Sequence, residues 1–123
     1  MSLSIDSNVG LVGGLAITLN FTGPTGSFDI TSGTTADCSN DPEVGDALLV
    51  ANRDLPGTVL LAWIDVDGFA TPAALASCRL SSTSVVTSAD FSATVTEAVD
   101  EQVPLPNNIV PLPVVTVTVA LLP

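Results

Sequence analysis

Apolar and polar residues alternate along much of the chain with a period of two, which is the spacing of half-buried β-strands. The alternation is clean in Leu15–Phe21 and in Asp90–Val99. In the second segment, the odd-numbered residues from Phe91 to Glu97 are expected to share one face. Because no stretch shows a convincing 3.6-residue stripe, the pattern predicts strands rather than helices.

Further strands are predicted at Ser27–Ile30, Gly57–Asp65, Ala73–Ser81 and Val114–Leu122. Gly57–Asp65 is almost continuously apolar, as is typical of a central strand, and we expect it to end at the turn Asp67-Gly68. In Ala73–Ser81 the even-numbered residues from Ala74 to Leu80 are expected to share one face. The segment Met1–Gly13 has room for one more strand.

One helix is a candidate, at Pro42–Ala51, where Asp41 is able to cap the first turn and proline is tolerated. Gly45 weakens this interpretation, so a strand at Ala47–Ala51 is kept as the alternative. Glycine and proline otherwise lie between the predicted strands, where turns need them. The sequence therefore predicts an all-β fold, an antiparallel β-sandwich with jelly-roll topology and at most one short helix, in a single domain over residues 1–123.

Composition places the chain among folded globular domains. Hydrophobic residues make up 46% of the sequence and charged residues 12%, a balance that disordered acidic tails do not have. No apolar run is long enough to cross a bilayer, so no membrane insertion is expected. The start, Met1–Asp6, lacks the basic and apolar regions of a signal peptide, so the compartment has to be inferred from other features.

The charge balance is strongly acidic. Thirteen acids face two bases, Arg53 and Arg79, which gives a formal net charge of −11. Such a surface repels nucleic acid and anionic membranes but attracts calcium and basic patches of proteins. Solubility alone is the alternative reason for the charge. The chain contains no His, Lys or Tyr, so any catalysis would have to use carboxylates.

Cys38 and Cys78 are the two cysteines of the chain. An even pair in a β-rich chain is typical of an oxidising compartment, and we predict a disulfide between them. The bond would close a loop of about 40 residues and stabilise the fold by about 4 kcal/mol in the chain-entropy description. Two buried thiols in a cytosolic protein are the alternative. The disulfide favours a secreted or cell-surface protein.

Several segments together resemble a cohesin-like domain. They are Gly14–Phe21, Ala36–Asn40, Gly57–Ile64, Ala73–Leu80 and the late strand Asp90–Asp100. The resemblance lies in the order of these strands, in the run Leu75-Ala-Ser-Cys78 and in the acidic turn after the last one. Some extracellular bacterial members also carry cysteines near these two positions. The similarity spans roughly residues 14–117.

The resemblance implies a nine-stranded jelly-roll sandwich, related in shape to carbohydrate-binding modules, and a dockerin-like module as the partner. The family has two strands before the segment that matches Gly14, whereas Met1–Gly13 has room for one. An open sheet edge is therefore expected on the N-terminal side. Such an edge invites another chain to add a strand, which raises self-association as an alternative to dockerin recognition.

Two acidic groups are candidate calcium sites, because calcium prefers oxygen ligands. The first, Asp65 and Asp67 before Gly68, is similar to the opening of a calcium loop but lacks the later ligands, and a solvated turn is the alternative. The second group consists of Asp37, Asp41 and Glu43, which Asp46 and Asp54 could join. No other cofactor is expected.

Three late acids, Glu97, Asp100 and Glu101, invite a glycosidase interpretation, because such enzymes use two carboxylates. Acids at the end of a strand are more often a solvated rim, and the chain has only one Trp and four Phe to stack on a sugar. Trp63 lies in the most apolar segment, where core packing is favoured, although with Phe69 it could form a small sugar platform.

The sequence therefore predicts a non-catalytic protein-binding or scaffolding module of an extracellular or cell-surface assembly. A carbohydrate-binding module is one alternative. A self-associating structural subunit is another, in which the proline-rich segment Val103–Pro113 would position Val114–Leu122 to pair with a neighbouring copy. A carboxylate hydrolase that uses Glu97 is the least favoured alternative.

Overall fold

The computed structural model describes residues 1–102 and 105–120, and its regular elements there are strands and two 3₁₀ turns. The strands are β1 (Ser2–Ile5), β2 (Leu11–Phe21), β3 (Ser27–Phe28), β4 (Ile30–Ser32), β5 (Thr35–Ala36), β6 (Cys38–Asn40), β7 (Leu48–Leu55), β8 (Thr58–Ala70), β9 (Ala73–Cys78), β10 (Leu80–Ser81), β11 (Phe91–Val99) and β12 (Val115–Thr118). The 3₁₀ turns are Pro42–Val44 and Ser88–Asp90.

These strands form antiparallel sheets. A six-stranded sheet has the order β11-β2-β8-β7-β5-β4, and a four-stranded sheet has the order β12-β1-β9-β6. A small third sheet pairs β10 with β3. The prediction of an all-β, antiparallel fold is confirmed. The jelly-roll topology stays a prediction.

The core lies between the two larger sheets, where alternate residues of the long strands are buried over most of their length. The six-stranded sheet contributes Leu15, Ile17, Leu19, Val59, Leu61 and Trp63, and the four-stranded sheet contributes Leu3, Ile5, Ala73, Leu75, Ala76 and Cys78. Burying a large apolar side chain stabilises a fold by about 1.5–3 kcal/mol relative to leaving it in water. This alternation explains why the period-two pattern of the sequence is strongest in β2 and β11.

A polar bridge crosses this core. Trp63 on β8 is 1% exposed, and its indole Nε1 donates a hydrogen bond of 2.9 Å to Oδ1 of Asn40 on β6. The side-chain Nδ2 of Asn40 donates in turn to the carbonyl of Ala47, just before β7. One asparagine of the four-stranded sheet therefore binds two elements of the six-stranded sheet.

The predicted disulfide is confirmed. Cys38 and Cys78 are direct partners in the register of β6 and β9, and their sulfur atoms are bonded. The bond fastens β6, the three-residue edge strand that carries Asn40. It therefore ties the polar bridge covalently to β9.

The predicted helix at Pro42–Ala51 is wrong, and its alternative is confirmed. Asp41 does cap a turn, because its side chain accepts a hydrogen bond from the backbone N–H of Glu43. That turn ends at Gly45, whose φ of +57° glycine adopts at little cost. The chain then enters β7, so the apolar run is used by a strand.

The predicted end of the central strand at Asp67-Gly68 is also wrong. Strand β8 continues to Ala70, and its last two residues pair with Leu11 and Val12 of β2. The register shifts between Val12 and Gly14, where β8 accommodates extra residues. A local irregularity with glycine in the left-handed region therefore replaces the expected turn.

Two face assignments fail for the same reason. In β11 the register shifts between Val95 and Glu97, so Ala98 is buried and Glu97 is exposed. In β9, Ala73 and Leu75 are buried before the register shift and Ala76 and Cys78 after it. A bulge moves all later side chains of a strand to the opposite face, which strict alternation does not anticipate.

The first strand is not the expected open edge. Strand β1 pairs with β9 on one side and with β12 on the other. The predicted C-terminal strand pairs with β1 of its own chain at Val115–Thr118. Its pairing with a neighbouring copy stays a prediction. Residues 103, 104, 121 and 122 of the two predicted C-terminal segments lie outside the described residues.

We expect the variant Asn40→Ala to lose about 1–3 kcal/mol of unfolding free energy, because the buried indole N–H is left without an acceptor. Urea unfolding followed by the fluorescence of Trp63 measures the loss. The matched control is Asn52→Ala on β7, whose side chain makes no hydrogen bond to the rest of the described residues, and its expected change is within about 0.5 kcal/mol. Equal losses in the two variants would contradict the bridging role of Asn40.

Candidate functional site

The solvent side of the six-stranded sheet, called here the outer face, is built from the side chains that alternate with the core. The registers of β11, β2, β8 and β7 align these side chains in rows across the four strands. In this strand order the rows are Val99, Gly14, Ile64 and Leu48; then Glu97, Ala16, Ala62 and Val50; then Thr94, Thr18, Leu60 and Asn52; and lastly Ser92, Asn20, Thr58 and Leu55.

The first two rows, with Leu60, form an apolar half of the outer face. Leu48, Val50 and Ile64 are exposed by 61%, 57% and 59% of their surface, and Leu60 by 42%. Single exposed apolar residues are ordinary, but these four are neighbours across two paired strands. A contiguous apolar patch on a protein surface is a candidate interaction site.

The apolar half contains a strip of small residues, called here the trough. Gly14, Ala16 and Ala62 are small, and they lie between the larger side chains of β7 and β8 and those of β11. Gly14 is required by close packing, because a Cβ atom there would lie 2.8 Å from Cγ2 of Val99. Gly14 therefore has to stay small, and the strip of small residues leaves room for a convex surface of a partner.

The charge on these rows is a single carboxylate, that of Glu97. The guanidinium of Arg53 is turned away, since its Nη1 donates to the carbonyl of Phe28 at 3.0 Å. The guanidinium of Arg79 lies 3.7 Å from the carboxylate of Asp37. A cation that neutralises Glu97 would therefore have to come from outside the chain.

The first predicted calcium group lies on the extension of β8. Oδ1 of Asp65 accepts a hydrogen bond from the backbone N–H of Asp67, which is a local turn contact. Asp67 itself is exposed. The two acids thus occupy an irregular strand segment before Gly68, where the sequence suggested a loop.

The second predicted group is spread over separate local contacts. Asp37 faces Arg79, Asp41 caps the first 3₁₀ turn, and Oε2 of Glu43 accepts from the backbone N–H of Ala74 at 2.8 Å. Among residues 1–102 and 105–120, no three acidic or cysteine side chains are grouped as metal ligands. Calcium binding stays a prediction.

The late acids have different environments. Asp100 receives backbone hydrogen bonds from Asn107 at 2.9 Å and Gln102 at 3.1 Å, and the side chain of Asn107 adds a third. Glu101 accepts from the side chain of Gln102. Glu97 lies on the outer face. The structure therefore gives Asp100 a role in holding the segment that follows β11, residues 105–118, called here the returning chain.

Asp6 holds the same returning chain at a second place. Its carboxylate accepts hydrogen bonds from the hydroxyls of Thr116 on β12 and of Ser4. These bonds lower the pKa of Asp6, with that from Thr116 the larger cause. The pKa of Asp100 is lowered as well, chiefly by the backbone hydrogen bond from Asn107.

The outer face was missed when the sequence was read alone, although one signal for it is present. The run Gly57–Ile64 is apolar at both alternating phases, which indicates a strand that is apolar on both faces. Core packing is expected for Trp63 of this run, but no surface is expected for the residues that alternate with it. The pairing of β8 with β7 brings Leu48 and Val50 to the same surface, and this pairing is known only from the fold.

Comparisons with protein-family models, with curated proteins and with solved structures give no significant match to this chain. Within the described residues, no helix is long and apolar enough to span a membrane.

Acidification is expected to release the returning chain only at low pH. Because the folded-state pKa values of Asp6 and Asp100 are lowered, their contributions are complete above the ordinary aspartate pKa of about 4 and are lost as the pH falls through the folded values. The amide signals of Asn107 and Thr116 should be constant from pH 7 to pH 5 and change below pH 4. NMR spectra recorded across this range measure the effect.

The variant Asp100→Asn is the control for this titration, since it removes the titrating group at Asn107 and leaves Asp6 in place. Its Asn107 amide should lose the acid transition while Thr116 keeps it. Changes at both amides already between pH 7 and pH 5 would contradict the assignment.

Proposed function

We propose that this chain is a non-catalytic protein-binding module of an extracellular or cell-surface assembly, and that its outer face is the binding surface. The observation that carries the proposal is the apolar half of that face, with Leu48, Val50, Leu60 and Ile64 adjacent and exposed. Exposing them to water costs free energy that a covering protein would recover.

Charge supports a basic protein as the partner. The net charge is −11, and the outer-face rows carry a carboxylate but neither guanidinium. Opposite charge on the partner would raise the rate of encounter and orient the complex. Two copies of this chain repel each other, so charge disfavours self-association through this face.

Aromatic placement favours a protein over a carbohydrate as the ligand. Sugar platforms use exposed aromatic rings, whereas Trp63, Phe28 and Phe69 are at most 4% exposed. Phe21 and Phe91 are half-buried and pack on each other, with ring centroids 5.3 Å apart. The trough offers aliphatic contacts instead.

The disulfide supports the proposed location, because such bonds persist in oxidising compartments. The similarity of the strand segments to cohesin-like domains supports the proposed class, and it makes a dockerin-like module the first partner to try. Neither point depends on the outer face, so they support the proposal independently.

Photo-cross-linking tests the proposed surface. With the photo-reactive residue p-benzoylphenylalanine in place of Val50, irradiation in the cells that make the protein should give one discrete adduct with a protein partner. The same residue in place of Val85, which is 86% exposed outside the outer face, should not give that adduct. The variant Ile64→Asp should abolish the adduct formed at position 50, because a charge is expensive to bury in the interface.

Adducts at both positions, or at position 85 alone, would contradict the outer face as the binding surface. If the adduct formed at position 50 has twice the mass of this chain, the outer face binds a second copy of the chain and not a different protein.

A further inference from the structure

A groove adjoins the outer face where the returning chain leaves β11. The backbone N–H of Asp100 donates to the carbonyl of Asn107, and that of Ile109 donates to the carbonyl of Ala98, both at 2.9 Å. Beyond Ile109 the returning chain leaves the strand, close to the register shift between Val95 and Glu97. The gap between them is a groove of about 270 Å³.

The groove has an aliphatic side, a more polar side and one charge. Asn108, Ile109, Val110 and Leu112 line the side of the returning chain, and Thr96, Glu97 and Ala98 line the side of β11. Val110 and Leu112 are exposed by 85% and 48%, so their apolar surface is open to a ligand. Within the described residues, no side chain or backbone group donates a hydrogen bond to the carboxylate of Glu97.

This combination matches a lysine or arginine side chain. Both have an aliphatic stem that packs on apolar surface and a cationic head that seeks a carboxylate. The guanidinium groups of this chain cannot fill the role, because Arg53 binds the carbonyl of Phe28 and Arg79 lies beside Asp37. The cation would therefore come from another molecule.

The groove is continuous with the outer face. Glu97 is in the same row as Ala16, Ala62 and Val50, on neighbouring strands. With strands about 4.8 Å apart, three spacings place the carboxylate roughly 14 Å from the β7 side of the trough. One protein surface that covers the trough can reach the groove with a long side chain.

We propose that this groove takes a lysine or arginine side chain of the protein that covers the outer face, with the aliphatic stem against Ile109, Val110 and Leu112 and the cationic head on Glu97. The proposal rests on the proposed function, which it deepens by naming the side chain that the partner presents. It makes Glu97 the residue that selects for a basic partner.

An NMR titration with n-butylammonium chloride, a mimic of the lysine side chain, tests the groove on the full chain. Amide shifts should saturate and be concentrated at residues 96–98, 108–110 and 112. The neutral analogue n-butanol and the stemless methylammonium ion should each bind at least fivefold more weakly, because each lacks one of the two contacts.

The variant Glu97→Gln should weaken n-butylammonium binding at least fivefold, whereas the matched control Glu101→Gln, on the neighbouring turn, should not. Shifts spread over all acidic residues, or equal binding by Glu97→Gln and the native chain, would overturn the proposal.

Failure of the groove and failure of the outer face are distinguishable. If the partner cross-linked at position 50 binds Glu97→Lys as tightly as the native chain but no longer binds Ile64→Asp, the groove proposal fails and the proposed function stands. If Ile64→Asp and Glu97→Lys both bind that partner normally, the proposed surface fails, while the n-butylammonium titration still decides whether the groove binds a cation.

Discussion

The hydrogen bond from the indole of Trp63 to the side chain of Asn40 is the contact on which the rest of the structure depends. It lets the largest core residue be buried without an unsatisfied polar atom, since within the described residues no buried side-chain nitrogen or oxygen lacks a partner. The same asparagine binds the carbonyl of Ala47, and the disulfide at Cys38 fastens its strand. The side chain of Asn40 thus contacts the core through Trp63 and the start of β7 through Ala47, and its strand is held by the disulfide.

The position of β7 in turn creates the outer face. Asn40 holds the carbonyl of Ala47, and β7 begins at the next residue, with Leu48 beside Ile64 and Val50 beside Ala62. A one-residue slip would turn Leu48 and Val50 toward the core and bring Leu49 and Ala51 to the surface. The register of β7 therefore sets both the residues that pack in the core and the apolar residues on the outer face. A change in this register would alter the outer face as much as the core.

Much of the fold could be predicted from sequence, because the period-two pattern is a direct consequence of one buried face per strand. The even pair of cysteines predicted the disulfide, and Gly45, which weakens a helix, favoured the alternative strand at Ala47–Ala51. The bulges in β9 and β11 could not be, since they depend on pairing with distant strands, and they decided that Glu97 faces outward. The placement of the predicted calcium ligands also depends on how distant strands pair, and the described residues contain no group of three such ligands. The trough depends on the register of four strands as well.

Calorimetric titration of the partner cross-linked at position 50 tests the central claim most directly, with Ile64→Thr compared with the native chain. Threonine keeps the β-branched shape that suits a strand but removes apolar contact area from a large side chain that borders the trough. We expect at least a tenfold loss of affinity, as at other central interface residues, with the unfolding free energy changed by less than about 1 kcal/mol. Unchanged affinity in a stably folded Ile64→Thr variant would contradict the outer face as the binding surface.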